Sequence, residues 1–131
     1  MAKPLTLGGV IEKFDHLYPN ELDGQVKRRV IWLVDRAFAI ETGQKEPPEY
    51  LAATPKNTQL LAPKVHEQLY IWALLRQTPG GSEGQKEYYN DRYQWEKRCA
   101  VSVWRDIHEG GNGKNETDTL WGREPDDGRN A

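Results

Sequence analysis

The sequence predicts an all-α protein, a small bundle of about four helices with a long Pro-rich connection and a flexible C-terminal tail. Apolar residues recur at spacings of three and four in several separate stretches, as they do along one face of a helix. Helix breakers fall between those stretches, at Tyr18-Pro19, Thr42-Gly43, Thr78-Pro79-Gly80-Gly81 and Gly110-Gly111. Beyond Gly110 aliphatic residues almost disappear, so residues 1–109 read as one helical domain and 110–131 as an acidic, Gly-rich tail.

Leu7, Val10, Phe14 and Leu17 place a first helix over about 7–18, with Thr6 as its cap, although Gly8 and Gly9 weaken its first turn. Asn20 is the expected cap of the second helix, where Val26, Val30, Leu33, Ala37 and Ile40 form an apolar stripe flanked by Val34 and Phe38. That stripe makes the second helix the expected centre of the bundle. Trp32 lies off it, facing another element or another subunit.

Residues 44–60 contain three prolines and no helical period. A link of this length inside a compact domain tends to be functional or mobile. A plain surface excursion is the simpler expectation and a binding role the alternative, with a short extended segment near Thr58–Leu61. Pro63 suits a first helical turn, and Val65, Leu69, Trp72 and Ala73 then face one way. Tyr70, Leu74 and Leu75 broaden that surface, so this third helix is either deeply buried or shared with a partner.

Ser82 and Gln85 have capping-box spacing and open a last helix of about 27 residues. Tyr89, Tyr93, Ala100, Val103 and Ile107 form its expected inner stripe, and Glu96 stands where an apolar residue is expected.

Several function classes are disfavoured by what the chain lacks. Its three histidines, His16, His66 and His108, fall on different helices, and His66-Glu67 lacks the second histidine of a zinc-protease helix. The single cysteine, Cys99, sits at the margin of an apolar stripe, as a packed thiol does, and fits a reducing compartment. No enzymatic activity, cofactor or metal is therefore expected. No apolar run reaches membrane-spanning length, and the N-terminus lacks a secretory pattern.

Lys27-Arg28-Arg29 is a basic cluster that suits either DNA contact or a solvated face balanced by Asp23, Asp35 and Glu41. The formal charge of −2 gives no overall attraction to nucleic acid, and the tail carries all of it. Within the tail, Leu120-Trp121 is an isolated apolar pair. It reads as a chance tryptophan or as a docking peptide that orders on a partner.

Four segments carry a family resemblance. They are VIEKFDHLYPN (Val10–Asn20), Ile-Trp-Leu-x-Asp-Arg (Ile31–Arg36), LLAP-x-x-HEQLY (Leu60–Tyr70) and Tyr-Asn-Asp-x-Tyr…Trp (Tyr89–Trp104). In order and spacing they resemble the head–tail connector (adaptor, or head-completion) proteins of tailed phages and prophages. The resemblance spans residues 10–109 and not the tail.

It implies a helical subunit that joins copies of itself into a ring beneath the portal protein and extends the DNA channel. DNA passes through without sequence-specific binding, no membrane is involved, and the next neck or tail-completion protein docks on the ring. The implied location is the head–tail interface of the virion, with the host cytoplasm during assembly. Trp32, Trp72 and Trp95 are the candidate interface residues, with Leu120 and Trp121 as a second candidate contact. A prophage-encoded DNA-binding regulator and a tail-assembly chaperone are the alternative functions. Salt-dependent duplex affinity would mark the first, and absence from finished particles the second.

Overall fold

The computed structural model describes residues 4–19, 21–79 and 82–109, which form an all-α fold. Helix α1 spans Leu7–Leu17, α2 Gly24–Thr42, α3 Gln68–Leu75 and α4 Glu83–Glu109. A 3-10 turn, Lys64–His66, precedes α3. The expected tail, with Leu120 and Trp121, lies outside the described residues.

The caps explain most helix boundaries. Thr6 accepts from the Gly9 N–H at 3.1 Å, satisfying one of the open donors of the first turn of α1. Asp23 caps α2 by accepting from the Gln25 N–H at 3.0 Å. Asn20, the expected cap, falls outside the described residues. Gly43 ends α2 in the left-handed region at φ 73°, where its N–H reaches back to the carbonyls of Ala39 and Ile40. Ser82 accepts from the Gln85 N–H at 3.1 Å, half of the expected capping box; the Gln85 side chain turns instead to the Tyr89 hydroxyl at 3.1 Å.

The centre of the bundle is α3, not α2. Six of its eight residues are buried (Leu69, Tyr70, Ile71, Ala73, Leu74 and Leu75), and it packs against α1, α2 and α4. An apolar circumference on so short a helix is therefore satisfied inside this chain. The third helix, expected to begin at Pro63, is shortened because its first turn is 3-10, which changes the phase of the side chains. Val65, expected on the inner face, is consequently 81% exposed.

Most residues of the 44–60 link are exposed, as in a surface excursion, but the link is pinned to the core at particular points. Tyr50, Leu60 and Ala62 are buried, and the segment near Thr58–Leu60 runs extended against the residues before α1. The Leu7 N–H donates to the Thr58 carbonyl at 2.9 Å and the Leu60 N–H to the Leu5 carbonyl at 2.8 Å. Thr6 and Gln59 form an isolated antiparallel bridge between them.

Gly8 has a positive role in this contact. Its N–H donates to the Lys56 carbonyl at 2.8 Å, and a Cβ on Gly8 would lie 2.8 Å from Lys56 Cβ and 3.0 Å from that carbonyl oxygen. The glycine costs helix propensity and admits the link to the core.

Gly8→Ala should therefore destabilise the chain by about 1–3 kcal/mol in urea denaturation, the usual range for overpacking a tight site. Gly24→Ala, where an added Cβ meets nothing within 4 Å, should be neutral or slightly stabilising. Equal effects at the two glycines would refute the close-approach account.

Candidate functional site

Helix α2 turns a different face inward from the one its most apolar stripe suggests. Its buried residues are Lys27, Ile31, Val34, Asp35, Phe38 and Ala39. Three residues of the expected inner stripe instead look outward, Val26 at 42% exposed, Leu33 at 43% and Ile40 at 54%, while Val30 and Ala37 are half-buried. Both sets have helical spacing, and they differ by one residue, or about 100° of rotation.

The reason for the inversion is Asp35, a fully buried carboxylate. It accepts hydrogen bonds from the Tyr50 hydroxyl at 2.6 Å, from the Tyr70 hydroxyl, and from the Leu61 N–H at 3.2 and 3.3 Å. The Tyr70 oxygen in turn accepts from the Ala62 N–H at 3.3 Å. Burial raises the Asp35 carboxyl above the ordinary aspartate range, against the opposing pull of these hydrogen bonds. Burial raises both phenols as well, with the neighbouring carboxylate adding to the shift, so both remain protonated donors. The cluster joins α2, α3 and the link.

Around it the exposed side of α2 clamps the same link. Arg28 donates to the carbonyls of Leu51 at 2.8 Å and Thr54 at 3.0 Å. Trp32 donates from Nε1 to the Pro47 carbonyl at 3.0 Å. Arg29 and Arg36 flank the Trp32 ring at 6.0 and 5.9 Å and pair with Glu49 and Glu46. The Lys27 stem is buried, and its ammonium reaches Asp15 at 2.6 Å. The Lys27–Arg29 cluster is thus engaged in holding the chain together, and Asp35 does not balance it at the surface.

The other candidate residues are placed as follows. Trp32 is half-buried on the link of its own chain. Trp72 is half-buried between α3 and α4, 5.9 Å from the Tyr88 ring and 6.0 Å from that of Tyr89. Trp95 is half-buried on α4, with the Arg92 guanidinium 5.1 Å from its ring. The structure does not bring the three together as one patch on α2. Leu120 and Trp121 lie outside the described residues.

The inner face of α4 also departs from expectation. Tyr93, Cys99, Ala100, Val101 and Ser102 are buried, whereas Ile107 is 67% exposed. Glu96 finds its explanation in His66, a buried residue of the 3-10 turn whose Nδ1 lies 3.2 Å from the Glu96 carboxylate. Burial raises the Cys99 thiol above its usual range, as for a packed, unreactive side chain. In α1, Ile11 is buried while Leu17 is exposed.

What remains as a candidate interaction site is the outward face of α2. Together with α4 it lines a groove of about 550 Å³, floored by Val30, Leu33, Ala37 and Ile40 and rimmed by Arg29, Arg36, Arg76 and Lys97. The sequence showed its residues but assigned them to the core. The signal that could have corrected this is Asp35 itself, which stands between Val34 and Phe38 on the competing stripe, as Glu96 stands within the stripe of α4.

Among the described residues no three His, Cys, Asp or Glu side chains are grouped to hold a metal ion. No described helix is long and apolar enough to cross a membrane. Comparison with protein-family models, curated proteins and solved structures finds no match to this chain.

Tyr50→Phe and Tyr70→Phe should each destabilise the chain by about 1–3 kcal/mol, the cost of losing one buried hydrogen bond to a charged group. The cost should also depend on pH. Because the folded-state pKa of Asp35 is raised, its stabilising contribution is fully present below the ordinary aspartate range and is lost as pH rises through the folded value. Each tyrosine lowers that folded value, so deleting one raises it further and enlarges the loss at higher pH. Urea denaturation in acidic and neutral buffer should show a larger penalty at neutral pH; a pH-independent penalty would contradict the assignment.

Proposed function

We propose that this chain is a structural subunit, without catalytic activity, of the head–tail connector of a tailed phage or prophage. It assembles into a ring beneath the portal protein, extends the DNA channel and presents a surface to the next neck or tail-completion protein. The observation that carries this reading is the outward apolar face of α2. A helix that buries Lys27 and Asp35 while exposing Val26, Leu33 and Ile40 has its apolar surface directed at something beyond its own core.

Three further features support it. A ring built from one kind of subunit joins two different faces of each copy, and exposed Val65 and Ile107 lie on other elements than α2. The segments that carry the family resemblance also converge in three dimensions. Asp35 of the Ile31–Arg36 segment meets Leu61 and Tyr70 of the Leu60–Tyr70 segment in one buried cluster. A near-neutral chain, with formal charge −2, suits a channel through which DNA slides without sticking.

Light scattering coupled to size exclusion, with and without purified portal protein, tests the proposal. A ring-sized species, free or formed on portal, is the expected result, and Leu33→Glu should abolish it while leaving far-UV helicity unchanged. A species that stays at 15.1 kDa and ignores portal would overturn the reading.

A further inference from the structure

We propose that the α2–α4 groove of one subunit takes the first half of α4 from a second copy of the chain. The inference rests on the connector reading and supplies the two faces that meet in it.

The groove has the form of a helix seat. Val26, Val30, Leu33, Ala37 and Ile40 follow one another at four, three, four and three positions, the repeat of a helix–helix seam. From Val26 to Ile40 that seam is about 21 Å long, the length of four helical turns. Tyr93, Gln94 and Lys97 of α4 form the facing wall. An amphipathic helix laid in such a groove is a recurrent mode of recognition.

Charge selects which helix. Arg29, Arg36, Arg76 and Lys97 line the groove, and no acid does. Arg29, Arg36 and Lys97 each hold a carboxylate from outside it, of Glu49, Glu46 and Glu41. Arg76 makes no ion pair among the described residues and donates to Asn90 at 2.6 Å. The groove therefore keeps a positive balance after its own pairs are counted. The α2 helix of a second copy fits poorly, because its Arg29 and Arg36 would face the same two arginines across a two-fold contact.

The start of α4 is the complement. Glu83, Glu87 and Asp91 are exposed and make no ion pair among the described residues. At about 100° per residue they span about 80° around the helix, and Tyr88 and Trp95 occupy about the next 60°. Tyr88 is 54% exposed, its ring edge-on to Trp72 at 5.9 Å. No base falls in that sector. Lys86 and Arg92 border it on either side, and the Arg92 guanidinium lies 5.8 and 5.1 Å from the Trp72 and Trp95 rings. The spacings also agree: Glu83 and Asp91 are about 12 Å apart along α4, and Arg29 and Arg36 about 10 Å along α2. The rings suit the apolar seam and the carboxylates suit its rim.

Because the groove and the α4 face are different surfaces, the contact is head-to-tail. Each added copy leaves one groove and one α4 face open until a ring closes.

Charge reversal on the full chain tests the pairing, by light scattering coupled to size exclusion, free or on portal as the native ring forms. Glu87→Arg with Asp91→Arg changes an exposed helix face and should reduce the ring-sized species to 15.1 kDa. Arg29→Glu with Arg36→Glu should do the same, with far-UV helicity retained in both. An equimolar mixture of the two variants should regain a larger species, since each groove then meets an α4 face of opposite sign. A ring that survives the α4 reversal would overturn the proposal and leave the connector reading standing. So would a mixture in which both variants stay at 15.1 kDa, because the loss would then not come from this pairing. A native chain that stays monomeric with portal would overturn the connector reading itself, and the proposal with it.

Discussion

A single buried carboxylate governs how this bundle is put together. Asp35 has no solvent contact, and three donors from outside its helix converge on it: two phenols and one backbone N–H. An isolated charge at this depth is strongly disfavoured, and a hydrogen-bonded one is tolerated only if all its partners stay in place. The arrangement is accordingly unforgiving of alternatives. It holds the long link through Tyr50 and Leu61, it holds α3 through Tyr70, and it sets the rotation of α2.

The consequence of that rotation reaches the surface. With Asp35 inside, Val26, Leu33 and Ile40 must lie on the other side, and the helix carries apolar side chains on two adjacent faces. The inner face closes on α3 and α4. The outer face borders the groove, while Arg28 and Trp32 grip the link on its own carbonyls. Stability and an exposed apolar face are thus produced by one helix through one choice of phase. The connector reading draws on that exposed face as a subunit contact.

Much of the fold was legible because helix boundaries are local. Thr6, Gly43 and Ser82 act within a few residues of themselves, and periodic apolar positions announce a helix whatever it packs against. Which face turns inward is not local. Two stripes 100° apart on α2 satisfy the same period, and the more apolar one lost because the other carries the partner of Tyr50 and Tyr70. The same limit applies to the link. Its prolines exclude a helix but say nothing of the hydrogen bonds with which residues 56–60 meet Leu5, Leu7 and Gly8. Glu96 was visible as an anomaly within an apolar stripe, and Asp35 offered the same kind of signal. Their partners, His66 at thirty positions away and Tyr70 at thirty-five, come close only through the tertiary fold.

The claim that Asp35 faces inward and thereby sets α2 can be tested at the carboxyl itself. A carbon-detected NMR titration of its side chain should give a midpoint above the ordinary aspartate range, because desolvation outweighs the three hydrogen bonds that oppose it. A midpoint within the ordinary range, like that of a solvated carboxylate, would mean that Asp35 faces water. In that case α2 would turn its Val26–Ile40 stripe inward, and the exposed groove would not exist.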